Sequence, residues 1–246
     1  MKIKQPDLVL GNSYALGRLN NPELVFRYRL RARMVMYAAK KYLGSCGPFR
    51  ILDLGAAEGK ALLELRTLLP FGEYAGVEYS EELTRLKNEL PKDVRIVKGD
   101  VMNLPEEIKG RPYNIVSAMA LLGHLANPLG AVSEAAGVLC DGGIFVATCS
   151  HPFWEIVSAR LGLLKEEPHV SGISKQFLID IVQKAGLEFL NYERFMWAPV
   201  AILSYLKISV SPGASITVDK IMRRVKIFNW LFINQCIIAR KPLCHA

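Results

Sequence analysis

Apolar and polar positions along the chain follow two alternating patterns. Short apolar runs of strand length predict seven strands: Arg50–Leu54, Tyr74–Glu78, Val94–Lys98, Tyr113–Ala118, Gly143–Thr148, Glu188–Met196 and Phe232–Ala239. Segments with helical spacing of apolar residues predict helices over Leu24–Leu43, Lys60–Leu69, Ser80–Leu90, Pro128–Leu139 and Ser174–Ala185. Strands that alternate with helices are typical of βαβ units, so the sequence predicts an α/β protein whose sheet is largely parallel and covered on both faces.

Composition fits a folded protein without a metal or disulfide framework. Of the 246 residues, 51% are hydrophobic and 22% are charged, which excludes a disordered chain. The five cysteines form no C-x-x-C pair, so no metal site is expected. No apolar segment of a signal peptide follows the first residues, and no apolar run is long enough for a membrane span. These features predict a cytoplasmic location.

Positive charge is concentrated towards the two ends of the chain. Residues 1–44 carry nine Lys or Arg against two Asp or Glu, and residues 219–241 carry six against one, whereas the formal net charge is only +8. The body between them is therefore mildly acidic, which argues against a nucleic-acid groove through the middle of the protein. The basic ends are compatible with an anionic surface or substrate, and equally with two solvated helix faces.

A turn of small residues follows the first strand and opens the next helix. Its sequence is Asp53-Leu54-Gly55-Ala56-Ala57-Glu58-Gly59. Such a turn lets the backbone pass close to a ligand, and the helix start offers free N–H groups. The spacing fits neither a P-loop nor the G-x-G-x-x-G turn of dinucleotide folds. What remains is the carboxylate of Asp53 at the strand end, which suits a cationic amine better than a pyrophosphate.

Two further acidic residues end the second and third predicted strands. Glu78 is placed to accept hydrogen bonds from both hydroxyls of a ribose, as an acid does in dinucleotide folds. Asp100 could accept from an adenine amino group while Val101 packs on the ring. Because open α/β sheets bind ligands at the carboxyl ends of their strands, three acids in succession predict one nucleoside-binding edge.

Five segments carry a family resemblance: ILDLGAAEG, GVEYS, KGDVMNLP, YNIVSAMALLGHL and GVLCDGGIFVAT. They resemble the successive motifs of class I S-adenosylmethionine-dependent methyltransferases, in particular the small-molecule group called methyltransferase domain type 11. The resemblance implies a Rossmann-like, mostly parallel seven-stranded sheet whose last strand is antiparallel. It also implies S-adenosyl-L-methionine as cofactor and S-adenosyl-L-homocysteine as product.

The same resemblance implies roles for individual residues. Asp53 and the turn from Gly55 to Gly59 would hold the methionine end of the cofactor, Glu78 the ribose, and Asp100 with Val101 the adenine. The full set of implied cofactor residues is Asp53, Gly55, Ala56, Ala57, Gly59, Glu78, Tyr79, Asp100, Val101 and Ala118. Ala57 departs from the family pattern, which has glycine there. The N/D-P-P-Y motif of enzymes that methylate base amino groups is missing, which disfavours nucleic acid as the acceptor.

Two histidines are candidates for a general base. His124 follows the fourth predicted strand and His151 the fifth, so both belong to the ligand-binding edge. A base is needed only where the accepting atom carries a proton of high pKa, and either side chain could instead be a hydrogen-bonded loop histidine. His169 and His245 have no motif context.

The chain is interpreted as one methyltransferase domain over residues 1–246. Its parts are an N-terminal helical cover (1–47), a cofactor-binding core (48–150) and a C-terminal half (151–246) with a substrate-covering insertion at about 197–231. Within the insertion, Val218–Phe232 is predicted to place Ile221, Val225, Phe228 and Phe232 along one helical row, flanked by Lys220, Arg223, Arg224 and Lys226. Such a basic amphipathic helix either packs on the sheet or contacts a lipid-like substrate or a membrane surface.

The predicted function is S-adenosylmethionine-dependent methyl transfer to a small or lipid-like molecule, with O- or C-methylation favoured. Peripheral contact with a membrane is compatible with this prediction. Two alternatives stay open. The basic ends permit an RNA or protein methyltransferase, and intact cofactor motifs are equally compatible with a catalytically silent subunit that binds the cofactor.

Overall fold

The computed structural model describes residues 21–44, 47–85, 90–160, 173–206, 208 and 210–243. Residues 1–20 lie outside the described residues, as do His169 and His245.

Seven strands form one sheet in the order β3-β2-β1-β4-β5-β7-β6. Their bounds are β1 Arg50–Leu54, β2 Glu73–Glu78, β3 Val94–Lys98, β4 Tyr113–Met119, β5 Leu139–Ser150, β6 Glu188–Trp197 and β7 Phe232–Arg240. β7 runs antiparallel to both of its neighbours, and the pairings among β1 to β5 are parallel. The predicted Rossmann-like sheet with an antiparallel last strand is therefore confirmed. The strand order reverses between β1 and β4, which is where folds of this architecture bind their ligands.

The five helices predicted from the alternating pattern are present with changes at their ends, and the helix predicted over Val218–Phe232 differs as described below. In chain order the α-helices are α1 Pro22–Tyr42, α2 Lys60–Leu68, α3 Glu81–Arg85, α4 Glu106–Lys109, α5 Pro128–Val138, α6 Pro152–Arg160, α7 Lys175–Lys184, α8 Ala198–Tyr205 and α9 Pro212–Arg224. Two 3-10 turns lie at Leu122–His124 and Lys226–Leu231. The helix predicted over Ser80–Leu90 corresponds to α3, and residues 86–89 lie outside the described part. No helix in the described residues is long and apolar enough to cross a membrane.

Alternation along the strands divides the core into two layers. One layer packs α1 and α2 against alternate residues of the central strands, among them Leu30, Leu62, Ile51, Ile115 and Val146. The other packs α5 and α7 against the intervening residues, among them Val132, Leu178, Leu52, Val116 and Phe145. Side chains of a strand point to opposite faces at successive positions, so each central strand supplies both layers. Because the helices cover the two faces of the sheet, the ends of the strands remain available for a ligand-binding site.

β5 begins four residues earlier than the predicted strand. Leu139 pairs with Tyr113 of β4, so the segment around Gly142 lies inside the strand and not in a turn before it. The Gly142 N–H donates to the Lys241 carbonyl over 3.0 Å, and the Lys241 N–H donates to the Gly143 carbonyl over 2.9 Å. The segment that follows β7 thus provides hydrogen-bond partners for the backbone of Gly142 and Gly143, which extends β5 at its start. This contact joins residues that are distant in sequence, so local sequence patterns do not predict it.

The C-terminal helix differs from the prediction in position and in buried face. α9 is capped by Ser211, whose hydroxyl accepts from the Ala214 N–H, and it ends at Arg224. Its buried residues are Ser215, Ile216 and Asp219, whereas Ile221 is 54% exposed. The predicted row over Val218–Phe232 is therefore wrong. Phe232 starts β7 and is fully buried, while Val225 and Phe228 belong to the cap and the 3-10 turn and are exposed.

Two of the four cations beside the predicted row contact the protein itself. Arg223 forms an ion pair with Glu193 of β6, and the Lys220 ammonium lies 5.1 Å from the centre of the Tyr37 ring on α1. Both contacts hold α9 against elements that the sequence places far away. Arg224 and Lys226 remain exposed.

Asp219 is expected to be a main anchor of this helix. Its carboxylate accepts the N–H groups of Met196 and Trp197 over 2.8 and 3.0 Å, and the side chain is 1% exposed. Asp219→Ala should lower the free energy of unfolding by about 2–4 kcal/mol, because each buried donor left without a partner costs about 1–3 kcal/mol. Chemical denaturation measures this change. Asp219→Asn keeps one acceptor oxygen and should lose about half as much, and equal losses in both variants would contradict the assignment.

Candidate cofactor site and active site

The end of β1 carries a buried carboxylate with a partner on β4. Asp53 is 1% exposed and lies opposite Ser117 in the parallel register of the two strands. The Ser117 hydroxyl donates to Asp53 Oδ1 over 2.7 Å, which fixes the carboxylate at the strand end. Sequence reasoning missed Ser117. Aligning the two predicted strands in parallel register would have revealed it.

The turn after β1 passes tightly against β2. The N–H groups of Gly55 and Ala56 both donate to the Val77 carbonyl, over 2.9 and 3.1 Å. Gly55 has a φ of +70°, a left-handed conformation that favours glycine, and a Cβ built there would lie 2.8 Å from a Leu121 methyl group, which would have to shift. Ala57 adopts a φ of +49°, a left-handed conformation that costs a residue with a Cβ about 1–2 kcal/mol. The turn therefore needs support from its surroundings.

Glu78 supplies that support from the end of β2. Its Oε2 accepts the Ala57 N–H over 2.8 Å, and its Oε1 accepts the Ser80 N–H over 2.9 Å. The side chain is 8% exposed, so both bonds are shielded from water. Each carboxylate oxygen can accept a second hydrogen bond, which leaves capacity for the hydroxyls of a ribose. Glu78 thus joins the glycine turn to the loop after β2, a role that the sequence did not predict.

A cavity of about 380 Å³ lies beside these residues, at the ends of β2 and β3. It is lined by Tyr79, Lys98, Gly99 and Asp100. Tyr79 is 62% exposed and offers an aromatic face, while Asp100 Oδ1 accepts the Met102 N–H over 2.8 Å and leaves its second oxygen for a ligand. Val101 is buried next to Asp100. The cavity is the candidate place for the adenine that the resemblance implies.

The remaining implied cofactor residues differ in burial and in backbone conformation. Ala56 and Ala57 are buried in the turn, Gly59 has a φ of +85° at the start of α2, and Ala118 is fully buried within β4. Asp53, Glu78 and Asp100 end or follow three neighbouring strands, so the fold brings them to one edge as predicted. Their carboxylates, the tight turn and the cavity fit a ligand that carries a cationic amine, a ribose and an adenine.

Both candidate histidines belong to the same edge. His124 ends the 3-10 turn after β4 and is half-buried. His151 directly follows β5. Its backbone N–H donates to the Ile233 carbonyl over 2.7 Å, and its backbone carbonyl accepts from the backbone N–H of Trp154 at the start of α6. Since β4 and β5 are parallel neighbours, the fold brings the two residues to adjacent strand ends.

The His151 side chain differs from an ordinary loop histidine. Within the described part of the chain, its Nδ1 atom is buried and has no hydrogen-bond partner. Burial, with a smaller contribution from the positive charge of Arg194, lowers the pKa of His151 below its usual value. The imidazole is therefore neutral near pH 7, as a general base must be. No cluster of three or more metal-ligating side chains is found among the described residues.

The fold and the site together define a Rossmann-like protein of the methyltransferase class. A methyltransferase domain family matches residues 16–192, which is most of the chain, so the chain belongs to this family. No curated protein matches the chain in sequence at a significant level. The family match confirms the prediction of a class I methyltransferase, and the protein is an S-adenosylmethionine-dependent methyltransferase.

Solved structures of low sequence identity share the fold. A methyltransferase from Haloferax volcanii, solved in complex with the Trm112 methyltransferase activator, is 16% identical with a TM-score of 0.65, over 96% of this chain and 98% of that one. A possible histamine N-methyltransferase from Thermotoga maritima is 17% identical with a TM-score of 0.59, over 94% and 95%. The plantazolicin methyltransferase BpumL, in complex with the demethylated cofactor, is 13% identical with a TM-score of 0.61, over 93% and 88%.

Proposed function

We propose that the protein transfers a methyl group from S-adenosylmethionine to an oxygen or carbon atom of a small or lipid-like molecule. The observation that carries this proposal is the apolar cover beside the strand ends. α8 directly follows β6 at the edge that holds His151, and it presents Ile202, half-exposed, next to the exposed Leu206. Apolar side chains at this place favour an acceptor with apolar surface over a nucleic acid.

His151 is the proposed general base of the transfer. When the cofactor is bound, it supplies an electrophilic methyl group on a sulfonium. The protein's task is to align the acceptor for in-line attack and to exclude water. The neutral His151 imidazole would take the hydroxyl proton of an acceptor that receives the methyl group from the sulfonium, and would later release this proton to water. His124 is the second candidate for this role.

The cofactor contacts follow from the edge described above. We assign the amine end to Asp53 and the turn from Gly55 to Gly59, and the ribose to Glu78. The adenine is assigned to the cavity lined by Tyr79 and Asp100 beside Val101, and Ala118 of β4 is assigned to the same cofactor site. The three segments of the chain are proposed to act as one catalytic domain, with residues 197–231 covering the acceptor. A cytoplasmic location with peripheral membrane contact fits this assignment.

One S-adenosylmethionine is expected to bind per chain. Isothermal titration calorimetry of the purified protein measures the stoichiometry, with NAD as the competing test ligand. A protein that ignored S-adenosylmethionine but bound the dinucleotide would contradict the cofactor assignment.

The acceptor class can be read from the fate of a labelled methyl group. The protein is incubated with S-adenosylmethionine that carries a tritiated methyl group, together with separate lipid, small-molecule, RNA and protein fractions of a cell extract. Label is expected in the lipid or small-molecule fraction and should be lost with the His151→Ala variant. Label in RNA or protein would support the macromolecular alternatives. Cofactor binding without transfer to any fraction would support a silent subunit.

A further inference from the structure

Five exposed apolar side chains lie on two elements that are distant in sequence and that meet at one aromatic pair. Phe153 and Ile156 belong to α6, and Ile227, Phe228 and Trp230 belong to the second 3-10 turn; all five are between 38% and 73% exposed. The rings of Phe153 and Trp230 meet edge to face with their centres 6.0 Å apart, and Trp154 Nε1 donates to the Trp230 carbonyl over 2.9 Å. We call this surface the apolar face.

The apolar face adjoins the reacting edge of the sheet. α6 begins two residues after β5 ends, and the 3-10 turn leads directly into β7, which runs in the opposite direction. Both elements are therefore at the sheet edge that the carboxyl ends of the parallel strands form. The His151 N–H bond to Ile233 ties the start of α6 to the start of β7. A molecule held on this face would be adjacent to the proposed base.

Three cations lie at the margins of the apolar face. Arg160 ends α6, Arg224 ends α9 and Lys226 opens the 3-10 turn; all three are exposed. Among the described residues none of them has an ion-pair partner, although Arg223 next to them does. The acidic residue of α6, Glu155, is only half-exposed. The face therefore combines apolar and aromatic side chains with exposed positive charge.

This combination favours an anionic membrane surface over a second copy of the chain. Large exposed apolar patches that are bordered by polar residues mark protein or membrane interaction sites. In a twofold dimer through this face, the three cations would approach their own counterparts, and like charges across an interface oppose association. At a bilayer, aromatic rings settle at the headgroup level while basic side chains contact phosphate groups.

We propose that the apolar face docks the protein on an anionic lipid bilayer and receives a membrane-dissolved methyl acceptor there. The docking itself stands on the geometry and charge of the face, and only the delivery of the acceptor rests on the proposed function. The contact is peripheral: Phe153, Ile227 and Trp230 enter the interface, and the cations stay at the headgroups. The surface differs from the single amphipathic helix that the sequence predicted, because two separate elements build it.

Vesicle sedimentation tests the docking. The native protein should sediment with vesicles of phosphatidylcholine mixed with phosphatidylglycerol and stay in solution with pure phosphatidylcholine, and high salt should release it. The Arg224→Gln/Lys226→Gln variant should bind the anionic vesicles about 25-fold more weakly, at about fivefold for each cation near the surface. Ile227→Ser/Trp230→Ser should also lose binding, since its apolar insertion is removed.

Matched controls come from the opposite edge of the sheet. Phe71 is 85% exposed in the loop before β2, and Lys92 and Lys184 are exposed before β3 and β6. Phe71→Ser and Lys92→Gln/Lys184→Gln should bind the vesicles like the native protein. Equal losses in the controls and in the face variants would overturn the proposal, as would native protein that binds neutral and anionic vesicles alike or ignores both.

Two further measurements separate this inference from its alternatives. Sedimentation velocity without lipid should show the same species for the native protein and Trp230→Ser. A native dimer that dissociates in Trp230→Ser would replace the membrane by a second copy as the occupant of the face. Calorimetric binding of S-adenosylmethionine, measured on the same samples, should be unchanged in every face variant. Native protein that ignores vesicles but methylates a soluble small molecule would overturn the docking and leave the proposed function in place.

Discussion

The His151→Ala variant is expected to turn over about 10²- to 10⁴-fold more slowly than the native protein while binding S-adenosylmethionine with unchanged affinity. This range is the usual contribution of a positioned general base. His151 directly follows β5, whereas Glu78 and Asp100 belong to the other side of β1, so removing the imidazole leaves the cofactor contacts intact. Single-turnover rates with an identified acceptor, together with calorimetry, test both halves of this expectation.

The pH profile supplies an independent test of the same role. A base acts in its neutral form, so the rate should fall as the pH falls through the pKa of His151. Burial and Arg194 lower this pKa, so the acidic limb should lie below pH 6.5, the ordinary value for histidine. Arg194→Gln removes the neighbouring positive charge and should move the acidic limb of the pH–rate profile towards higher pH. If His151 had only a structural role, the limb would not move.

Comparison with His124→Ala decides between the two histidines. If His124→Ala shows the large loss and His151→Ala does not, the proton acceptor is His124. If both variants turn over at the native rate, transfer depends on positioning alone. Recovery of His151→Ala by added imidazole would favour the proton-transfer role over a structural one.

The Glu78→Ala variant is expected to lose cofactor affinity and stability together. Removing the carboxylate leaves the N–H groups of Ala57 and Ser80 without acceptors and takes away the proposed ribose contact. Hydrogen bonds to a charged group contribute about 1.5–3 kcal/mol each, so the affinity for S-adenosylmethionine should fall by roughly 10- to 150-fold for one lost ribose bond. Calorimetry measures the affinity, and thermal unfolding should show a lower Tm in the absence of cofactor.

A second substitution separates the two roles of Glu78. Ala57 holds a φ of +49°, which glycine adopts without the cost of a Cβ. The Glu78→Ala/Ala57→Gly double variant should therefore recover part of the lost stability, while its affinity for S-adenosylmethionine stays low. An unchanged affinity in Glu78→Ala would contradict the ribose assignment, and an unchanged Tm would contradict the supporting role.

Local sequence signals determined the sheet and most of the cofactor edge. Two strands, Arg50–Leu54 and Val94–Lys98, have the predicted bounds, because alternation of apolar residues and the breakers around them act within a few positions. Once those strands are parallel, their carboxyl ends must share an edge. Asp53, Glu78 and Asp100 could therefore be grouped without any knowledge of contacts.

Tertiary structure alone decided how these residues are held and which surfaces stay open. Glu78 supports the Ala57 turn across 21 residues of sequence, and Ser117 reaches Asp53 across 64. The same reason explains the wrong helical row at the C-terminus. Apolar spacing cannot tell which side of a helix is covered, and here Asp219 is buried because two N–H groups at the end of β6 need an acceptor. Ile221 and its apolar neighbours were consequently left in water, since burial depends on partners that are distant in sequence.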